Sequence, residues 1–226
     1  MRVASFDIGY KNFAFCIEEF DSSFLKEMAV PSCINKNGTL GEEFGAVVER
    51  ACLNGKTLLH RNIDLTKGKM MKTLEQSLFH AMTTVLEEYE HEWENCDAFI
   101  VEMQMSFKGV YNVKALKLGQ HCLSYFYINH RHKEVVEWPA YHKTEVLGLP
   151  KKETIRKKKD GTETLSYKSV TKPQRKKWTV NKVCEFLEKR NENDVLKNLT
   201  TAKKKDDLAD TLALIWSWKI ISFCCL

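Results

Sequence analysis

The N-terminus contains two short apolar runs, RVASFDI and NFAFCIEEF, separated by a turn signal formed by Gly9, Tyr10, Lys11 and Asn12. Runs rich in β-branched and aromatic residues on either side of such a turn predict two strands that pair as a hairpin. A third strand is expected around residues 25–33. The chain therefore has to build its core on a sheet that begins at its first residues.

Beyond residue 69 the pattern alternates between helices and strands. Hydrophobic residues between Met70 and Trp93 recur every three or four positions, which predicts one long amphipathic helix. Strands are expected at DAFIVEMQM and KEVVEWP, and helices at about 110–129, at Gln174 to Arg190 and from Lys204 onward. This order predicts an α/β fold, a mixed β-sheet flanked by helices, in a single domain that spans the chain.

Two stretches do not follow this pattern and are predicted to be insertions. Residues 35–69 are polar, with NKNG and LNGK, and their EEFGAVVERAC segment is expected to form only a short helix. Residues 146–172 lack hydrophobic periodicity and contain KKETIRKKKDGTE, which is typical of a basic loop.

Composition restricts the class of protein. With 43% hydrophobic and 29% charged residues, the chain can bury a sizeable core. The net charge is +5, and the basic residues cluster between Lys151 and Lys177, which favours an anionic partner. Eight cysteines without a C-x-x-C pair predict buried, reduced thiols and an intracellular, reducing compartment.

No targeting or membrane segment is expected. Arg2 and Asp7 interrupt the apolar run that a secretory signal would need. The C-terminal run LALIWSWKIISFCCL contains Lys219 and is shorter than the roughly 20 apolar residues of a membrane span. It is interpreted as the buried end of a helix.

Isolated carboxylates occur in the predicted core. Asp7 ends the first strand, and Glu102 interrupts the apolar strand FIVEMQM. Such charges are unfavourable unless something compensates them. Asp207 and Asp210 are three residues apart at the start of the last helix and therefore face the same way, whereas Asp206 is expected to point elsewhere.

Converging carboxylates repel one another, and hard divalent cations with oxygen ligands relieve that repulsion. Two-metal sites for phosphoryl transfer are built in this way. Helix capping and the helix dipole are an alternative explanation for Asp206, Asp207 and Asp210 alone.

The segments DIGYKN, VEMQ and KKKDDLADTLAL, in this order, resemble the RNase H-like (retroviral integrase) superfamily. Within it they are similar to the RuvC-type Holliday junction resolvases, especially those of poxviruses, related large DNA viruses and fungal mitochondria. By resemblance, Asp7, Glu102, Asp207 and Asp210 are catalytic and bind two Mg²⁺ ions, for which Mn²⁺ can substitute.

The resemblance also implies an activity. It predicts a structure-specific endodeoxyribonuclease that resolves four-way DNA junctions by paired, symmetric, metal-dependent cleavage during recombination or repair. If the protein is viral, it would act where viral DNA is replicated. Symmetric cleavage implies a homodimer, for which Phe126 and Tyr127 on the predicted 110–129 helix are candidate anchors.

Basic and amide side chains are candidates for DNA contacts. TKPQRKKWTVNKVCEFL places Arg175, Lys176 and Lys177 at the beginning of a helix, where a solvated helix face is the simple alternative. By resemblance, Lys176, or Lys177 as second choice, stabilises the scissile phosphate. A fixed ammonium would act there on charge that develops during cleavage.

Four further side chains are candidate DNA contacts. Asn12 and Gln104 lie next to the predicted catalytic acids, and Lys114 and Lys117 lie on one side of the 110–129 helix. Amide and ammonium groups of this kind bind phosphate oxygens.

Three other functions stay open at this point. An actin-like or sugar-kinase-like fold also begins with a D-x-G strand turn, but it needs a second glycine-rich phosphate loop, and this chain has 10 glycines and no such loop. An RNase H-like nuclease acting on another branched or hybrid substrate is the second. The third is an inactive protein that binds DNA junctions.

Overall fold

The computed structural model describes residues 1–70, 73–104, 112–157 and 162–226. Its strands are β1 (Arg2–Asp7), β2 (Phe13–Glu19), β3 (Lys56–Ile63), β4 (Ala98–Met103), β5 (Glu134–Pro139), β6 (Lys152–Lys157) and β7 (Glu163–Lys168). Its helices are α1 (Ser22–Glu27), α2 (Glu42–Leu53), α3 (Gln76–Glu88), α4 (Glu90–Trp93), α5 (Val113–Asn129), α6 (His142–Glu145), α7 (Lys172–Lys189), α8 (Asn193–Thr201) and α9 (Lys205–Lys219). A π-helical turn, Ile220–Cys224, follows α9.

The central sheet has the strand order β3-β2-β1-β4-β5. β2 pairs antiparallel with β1 and β3, whereas β4 is parallel to β1 and β5 is parallel to β4. The register pairs Phe6 with Val101, so the next residues of the two strands, Asp7 and Glu102, lie at the same edge. The predicted α/β fold with a mixed sheet is confirmed.

Side chains alternate between the two faces of the sheet and build a core on each. Val3 faces the core formed with α2, α7, α8 and α9, whereas Ala4 faces the core formed with α3, α4 and α5. The result is a three-layer arrangement in which α9 lies against β1 and β2.

The predicted third strand at 25–33 is wrong. Asp21 caps a helix there, because its carboxylate accepts hydrogen bonds from the backbone N–H groups of Ser23 and Phe24. The expected short helix in residues 35–69 is confirmed as α2, but the same stretch also contains β3, which the sequence reasoning missed. β3 pairs on one side only and keeps polar side chains exposed, so its composition resembles a loop.

The one long helix predicted from Met70 to Trp93 is instead two helices, α3 from Gln76 and α4 from Glu90, which are interrupted at Tyr89, and Met70 is exposed. The predicted basic loop at 146–172 contains the β6–β7 hairpin, and α8 was not predicted. The other predicted strands and helices are confirmed. Residue 105 of the predicted strand DAFIVEMQM and residues 110–111 of the predicted 110–129 helix lie outside the described residues.

All eight cysteines are free thiols, as expected, and five are buried, whereas Cys33 is exposed and Cys184 and Cys225 are half-buried. The C-terminal run is the buried end of α9, also as expected. No helix in the described part of the chain is long and apolar enough to cross a membrane.

Phe126 is not the exposed dimer anchor that the sequence suggested. Its ring is fully buried and stacks on Phe99 with a centroid separation of 4.0 Å. Tyr127, on the outer side of α5, is 53% exposed.

Candidate active site

Three carboxylates from separate elements converge at one edge of the sheet. Asp7 ends β1, Glu102 lies on β4 and Asp210 lies on the second turn of α9. One carboxylate oxygen from each lies within 4.8 Å of the other two. The sequence predicted this convergence because lone acids ended or interrupted otherwise apolar elements.

Two hydrogen bonds fix α9 against the sheet so that Asp210 reaches the strand acids. The Ser5 hydroxyl donates to the Thr211 carbonyl over 2.8 Å, and His60 Nε2 lies 3.0 Å from the Leu208 carbonyl. Burial lowers the pKa of His60 to about 4, so the ring is neutral and its Nε2–H donates. Sequence reasoning missed His60, because nothing in a polar edge strand marks its contact with α9.

Lys143 is the main functional side chain that sequence reasoning missed. It lies on α6 and is buried, with Nζ 3.1 Å from Glu102 Oε1 and 3.0 Å from Asp210 Oδ2. Burial opposes its charge, yet Glu102 and Asp210 raise its pKa above the ordinary lysine value. No motif marks it, because its role depends on how α6 packs beside β4 and α9.

One ammonium does not balance three carboxylates. Burial raises the pKa of Asp7 well above its ordinary value, and Glu102 adds to this although Lys143 opposes it. Burial also raises the pKa of Asp210, against the effect of Lys143. Clustered, under-compensated carboxylate oxygens are the ligand set that Mg²⁺ or Mn²⁺ prefers, so these residues fit a divalent cation.

Asp207 lines the same cleft but does not belong to the three closely spaced acids. Burial and the charge of Asp206 raise its pKa to about 6. Lys176 forms an ion pair with Asp206, and its Nζ lies 3.9 Å from Asp207 Oδ1. Asp206 lines the neighbouring groove and not the acidic cleft, so it points away from Asp207 and Asp210 as the sequence predicted, and it holds Lys176 at the rim between the two.

The other predicted contacts fall into two groups. Gln104 and Arg175 line the acidic cleft, together with Lys172, which was not predicted. Lys177 lies in a neighbouring groove beside Lys176, Lys203 and Lys205.

Three candidates are not among the described residues that line the cleft: Asn12, Lys114 and Lys117. Lys114 lies over the ring of Tyr10, with Nζ 4.8 Å from its centroid. Lys117 is exposed on α5.

Two viral proteins are similar to this chain over almost its whole length. Uncharacterized protein 170L of Invertebrate iridescent virus 6 is 30% identical over 235 residues, covering 96% of this chain and 88% of that protein. Uncharacterized protein 97L of Invertebrate iridescent virus 3 is 30% identical over 236 residues, covering 96% of this chain and 98% of that protein. No protein-family model matches the chain.

Solved structures of resolvases share the fold. The fowlpox virus resolvase in complex with its substrate Holliday junction DNA matches with a TM-score of 0.55 at 17% identity, covering 98% of this chain and 99% of that chain. RuvC of Thermus thermophilus matches with a TM-score of 0.51 at 13% identity, covering 98% of this chain and 96% of that chain. The fold is therefore the RNase H-like fold of RuvC-type resolvases, as the sequence predicted.

Proposed function

The chain belongs to the family of the iridescent virus proteins 170L and 97L, and from its RuvC-type fold and its acidic site we propose that it is a Holliday junction resolvase. In this proposal it is a structure-specific endodeoxyribonuclease that cuts four-way DNA junctions in symmetric pairs. The whole chain acts as one nuclease domain in which residues 146–172 are an insertion. The viral origin of the relatives supports a role in processing viral DNA.

The observation that carries this proposal is the excess of carboxylates in the cluster around Lys143. Asp7, Glu102 and Asp210 have oxygens within 4.8 Å of one another and share one buried ammonium. A site that only stabilised the fold would match its charges, because uncompensated buried charge is destabilising. The unmatched carboxylates therefore support the proposal that an external cation binds here.

We expect Asp7, Glu102 and Asp210 to hold Mg²⁺ or Mn²⁺, and Asp207 to contribute to a second ion. When bound, such ions lower the pKa of an attacking water and stabilise the leaving oxygen. The proposal of two ions rests on the presence of a fourth acid in the cleft.

The lysines have separate roles in this proposal. Lys143 holds Glu102 and Asp210 in place by its two ion pairs. Lys176 lies at the rim, 36% exposed, where it can exchange Asp206 for a phosphate of the DNA and stabilise charge that develops during cleavage. Arg175 and Gln104 are further donors to the backbone along the same cleft.

The function of Lys176 can be separated from simple binding. Lys176→Ala should slow cutting by roughly a hundredfold and weaken junction binding much less, because its interaction is made chiefly in the transition state. Lys177→Ala is the control, since Lys177 lies in the neighbouring groove. Equal losses of cutting and binding would show that Lys176 only contacts the DNA backbone.

We also propose that the working unit is a symmetric homodimer. Two cuts related by the two-fold axis of a junction need two sites at a fixed separation, which a C2 dimer provides. Tyr127 and Ile128 leave apolar surface exposed at the C-terminal end of α5, which such an interface would cover. Light scattering should give the mass of two chains, and mixing wild type with Asp7→Asn protein should leave nicked circles from a cruciform plasmid.

The decisive experiment compares substrates. End-labelled four-way junctions, linear duplexes and RNA–DNA hybrids are incubated with the protein in Mg²⁺ and in EDTA. The proposal predicts paired, symmetric nicks in the junction only, none in EDTA and none with Asp7→Asn protein. Preferred cutting of the hybrid would indicate an RNase H-type activity instead, and junction binding without cutting in Mg²⁺ would indicate an inactive binding protein.

A further inference from the structure

The β6–β7 hairpin has two chemically different faces. Residues directly opposite each other on paired strands point to the same face, and the register pairs Lys152 with Lys168 and Arg156 with Thr164. The face that contains these two pairs has three cations and three hydroxyl groups and no carboxylate: Lys152, Arg156, Lys168, Thr154, Thr164 and Ser166.

The other face is mixed. Ile155 pairs with Leu165, and these two side chains are 67% and 58% exposed. Glu153 pairs with Tyr167 on the same side. The two acidic side chains of the strands, Glu153 and Glu163, lie on this mixed face and not on the basic face.

The basic face is available for a partner. No ion pair joins Lys152, Arg156 or Lys168 to a carboxylate of the described residues, and all three side chains are exposed. The hydroxyls of Thr154 and Ser166 bond to each other, which fixes the strand pairing beneath the cations. Cations that face solvent without a counter-charge can bind phosphates without first breaking an ion pair.

The hairpin contributes nothing to the protein core. None of its described residues is buried, and an isolated two-stranded hairpin is only marginally stable in water. It is therefore accessible to a molecule outside the fold.

The position of the hairpin determines what that partner is. It leaves the domain after α6, which carries Lys143, and returns at α7, which carries Lys176. Tyr141, Thr144 and Arg175 line both the acidic cleft and the pocket at the root of the hairpin. A molecule that occupies the cleft therefore passes beside the hairpin.

We propose that the β6–β7 hairpin is a DNA-binding arm whose basic face binds the phosphate backbone of a duplex segment next to the cleavage site. The inference rests on the proposed function, because the junction in the cleft supplies that duplex. Backbone contacts of this kind fix the position of a substrate and increase affinity without reading its sequence. The hairpin would thus hold one duplex of the junction while the cleft binds the branch point.

The test is a salt titration of DNA binding in EDTA, where cutting is prevented. Wild type is compared with a basic-face triple variant, Lys152→Ala, Arg156→Ala and Lys168→Ala. Because each neutralised phosphate of duplex DNA contributes about 0.9 to the slope of log K against log salt, the slope should fall by about two to three. Junction affinity at about 0.15 M salt should fall by roughly tenfold or more.

Two control variants match this change. Lys26→Ala, Lys56→Ala and Arg131→Ala remove the same charges from exposed positions near the opposite ends of the strands, and should leave the slope within about 0.5 of wild type. Ile155→Thr with Leu165→Thr alters the hairpin but keeps its basic face, and should also leave the slope unchanged. Far-ultraviolet circular dichroism should be the same for all variants, because the substituted side chains are exposed.

The outcomes separate the arm from the nuclease activity. If wild type cuts junctions in Mg²⁺ but the basic-face triple keeps the wild-type slope and affinity, the arm is refuted and the proposed function stands. If wild type binds DNA without cutting it, the proposed function fails while the slope comparison still decides on the arm. If wild type binds no DNA, both proposals are overturned.

Discussion

Two clusters of buried charge lie at opposite ends of α9, and they differ in how well their charges are balanced. At its N-terminal end, Asp210 joins Asp7 and Glu102 around Lys143. At its C-terminal end, Lys219 reaches Glu18 on β2. The Glu18 cluster is fully buried and the acidic cluster largely so, so desolvation is unfavourable in both, but the balance of charges differs.

The cluster around Glu18 is complete. Its carboxylate accepts hydrogen bonds from Lys219 Nζ at 2.5 Å, Trp216 Nε1 at 2.7 Å and Arg190 Nη1 at 3.1 Å. Arg190 also pairs with Glu192 at 3.3 Å, so two cations face two carboxylates. Although burial opposes it, Arg190 and Lys219 lower the pKa of Glu18 from 4.5 to about 2.

The acidic cluster has the opposite response, since burial and neighbouring carboxylates raise the pKa of Asp7 well above its ordinary value. A cluster that neutralises itself stabilises the fold and needs no ligand. A cluster with excess charge of one sign is unstable by itself and is suited to bind the opposite charge. The comparison therefore favours a structural role for Glu18 and supports the proposed metal-binding role of Asp7, Glu102 and Asp210.

The largest expected effect is on catalysis. Asp210→Asn should lower the rate of junction cleavage in Mg²⁺ by more than about 10³-fold, because it removes a metal-ligand oxygen without changing the shape of the side chain. Single-turnover cleavage with excess enzyme measures this. Junction binding in EDTA should persist, since the basic residues are unchanged.

Glu18→Gln is the matched control at the other end of α9. It removes one carboxylate charge from the more deeply buried cluster and should leave the cleavage rate within a few-fold at a temperature where the variant stays folded. If Asp210→Asn cuts normally, or if both substitutions abolish cutting equally, the contrast between the two clusters is lost.

The sequence revealed the acids of the cleft and two of its cations, Arg175 and Lys176, but not Lys143 or the supporting His60. Asp7 and Glu102 are visible because a lone charge in an apolar strand breaks an otherwise regular pattern, and Asp207 and Asp210 because helical spacing aligns them. Lys143 and His60 break no pattern, since lysine and histidine are common in polar segments. Their roles arise only from tertiary packing.

The same reasoning explains the errors in secondary structure. The period-two signal of a strand comes from burying one of its faces. The edge strand β3 buries few of its side chains and the β6–β7 hairpin none among those described, so both were read as loops. The buried strands β1, β2 and β4 were predicted correctly because each carries a nearly continuous apolar run.

The second effect is on stability. Glu18→Gln should lower the free energy of unfolding by about 3–5 kcal/mol, because it leaves Arg190 and Lys219 buried with one counter-charge fewer. Urea denaturation at pH 7 measures the loss. The isolated surface pair of Arg2 and Glu19 supplies the control, and Glu19→Gln should change stability by less than about 1 kcal/mol. Equal, small losses in both variants would mean that the Glu18 cluster is not a structural element.

The third effect concerns pH. Because the pKa of Glu18 is lower in the folded state than its ordinary value, its stabilisation is complete above about pH 4.5 and is lost as pH falls toward about 2. The lost contribution amounts to roughly 3 kcal/mol. The stability difference between wild type and Glu18→Gln should therefore shrink between pH 5 and pH 2, as urea denaturation at several pH values would reveal. A constant difference over this range would show that folding does not lower the pKa of Glu18.

The smallest effect has the opposite sign and tests the acidic cluster without DNA. In EDTA at neutral pH, Asp7→Asn should raise the free energy of unfolding by about 1 kcal/mol, since it removes a buried carboxylate that Glu102 and Asp210 repel. Thermal denaturation should then show an increase in Tm of roughly 2–4 °C for a chain of this size. Mg²⁺ should reverse the order, because saturation at about 100 times Kd stabilises the wild-type protein by about 2.7 kcal/mol and the variant has lost a ligand.

Asp64→Asn is the control: Asp64 accepts hydrogen bonds from Thr66 that lower its pKa, so its removal should not stabilise the protein in EDTA. If Asp7→Asn is destabilising in EDTA and Mg²⁺ raises the Tm of all three proteins equally, Asp7 belongs to a self-compensated cluster like that of Glu18, and the contrast between the two ends of α9 is wrong.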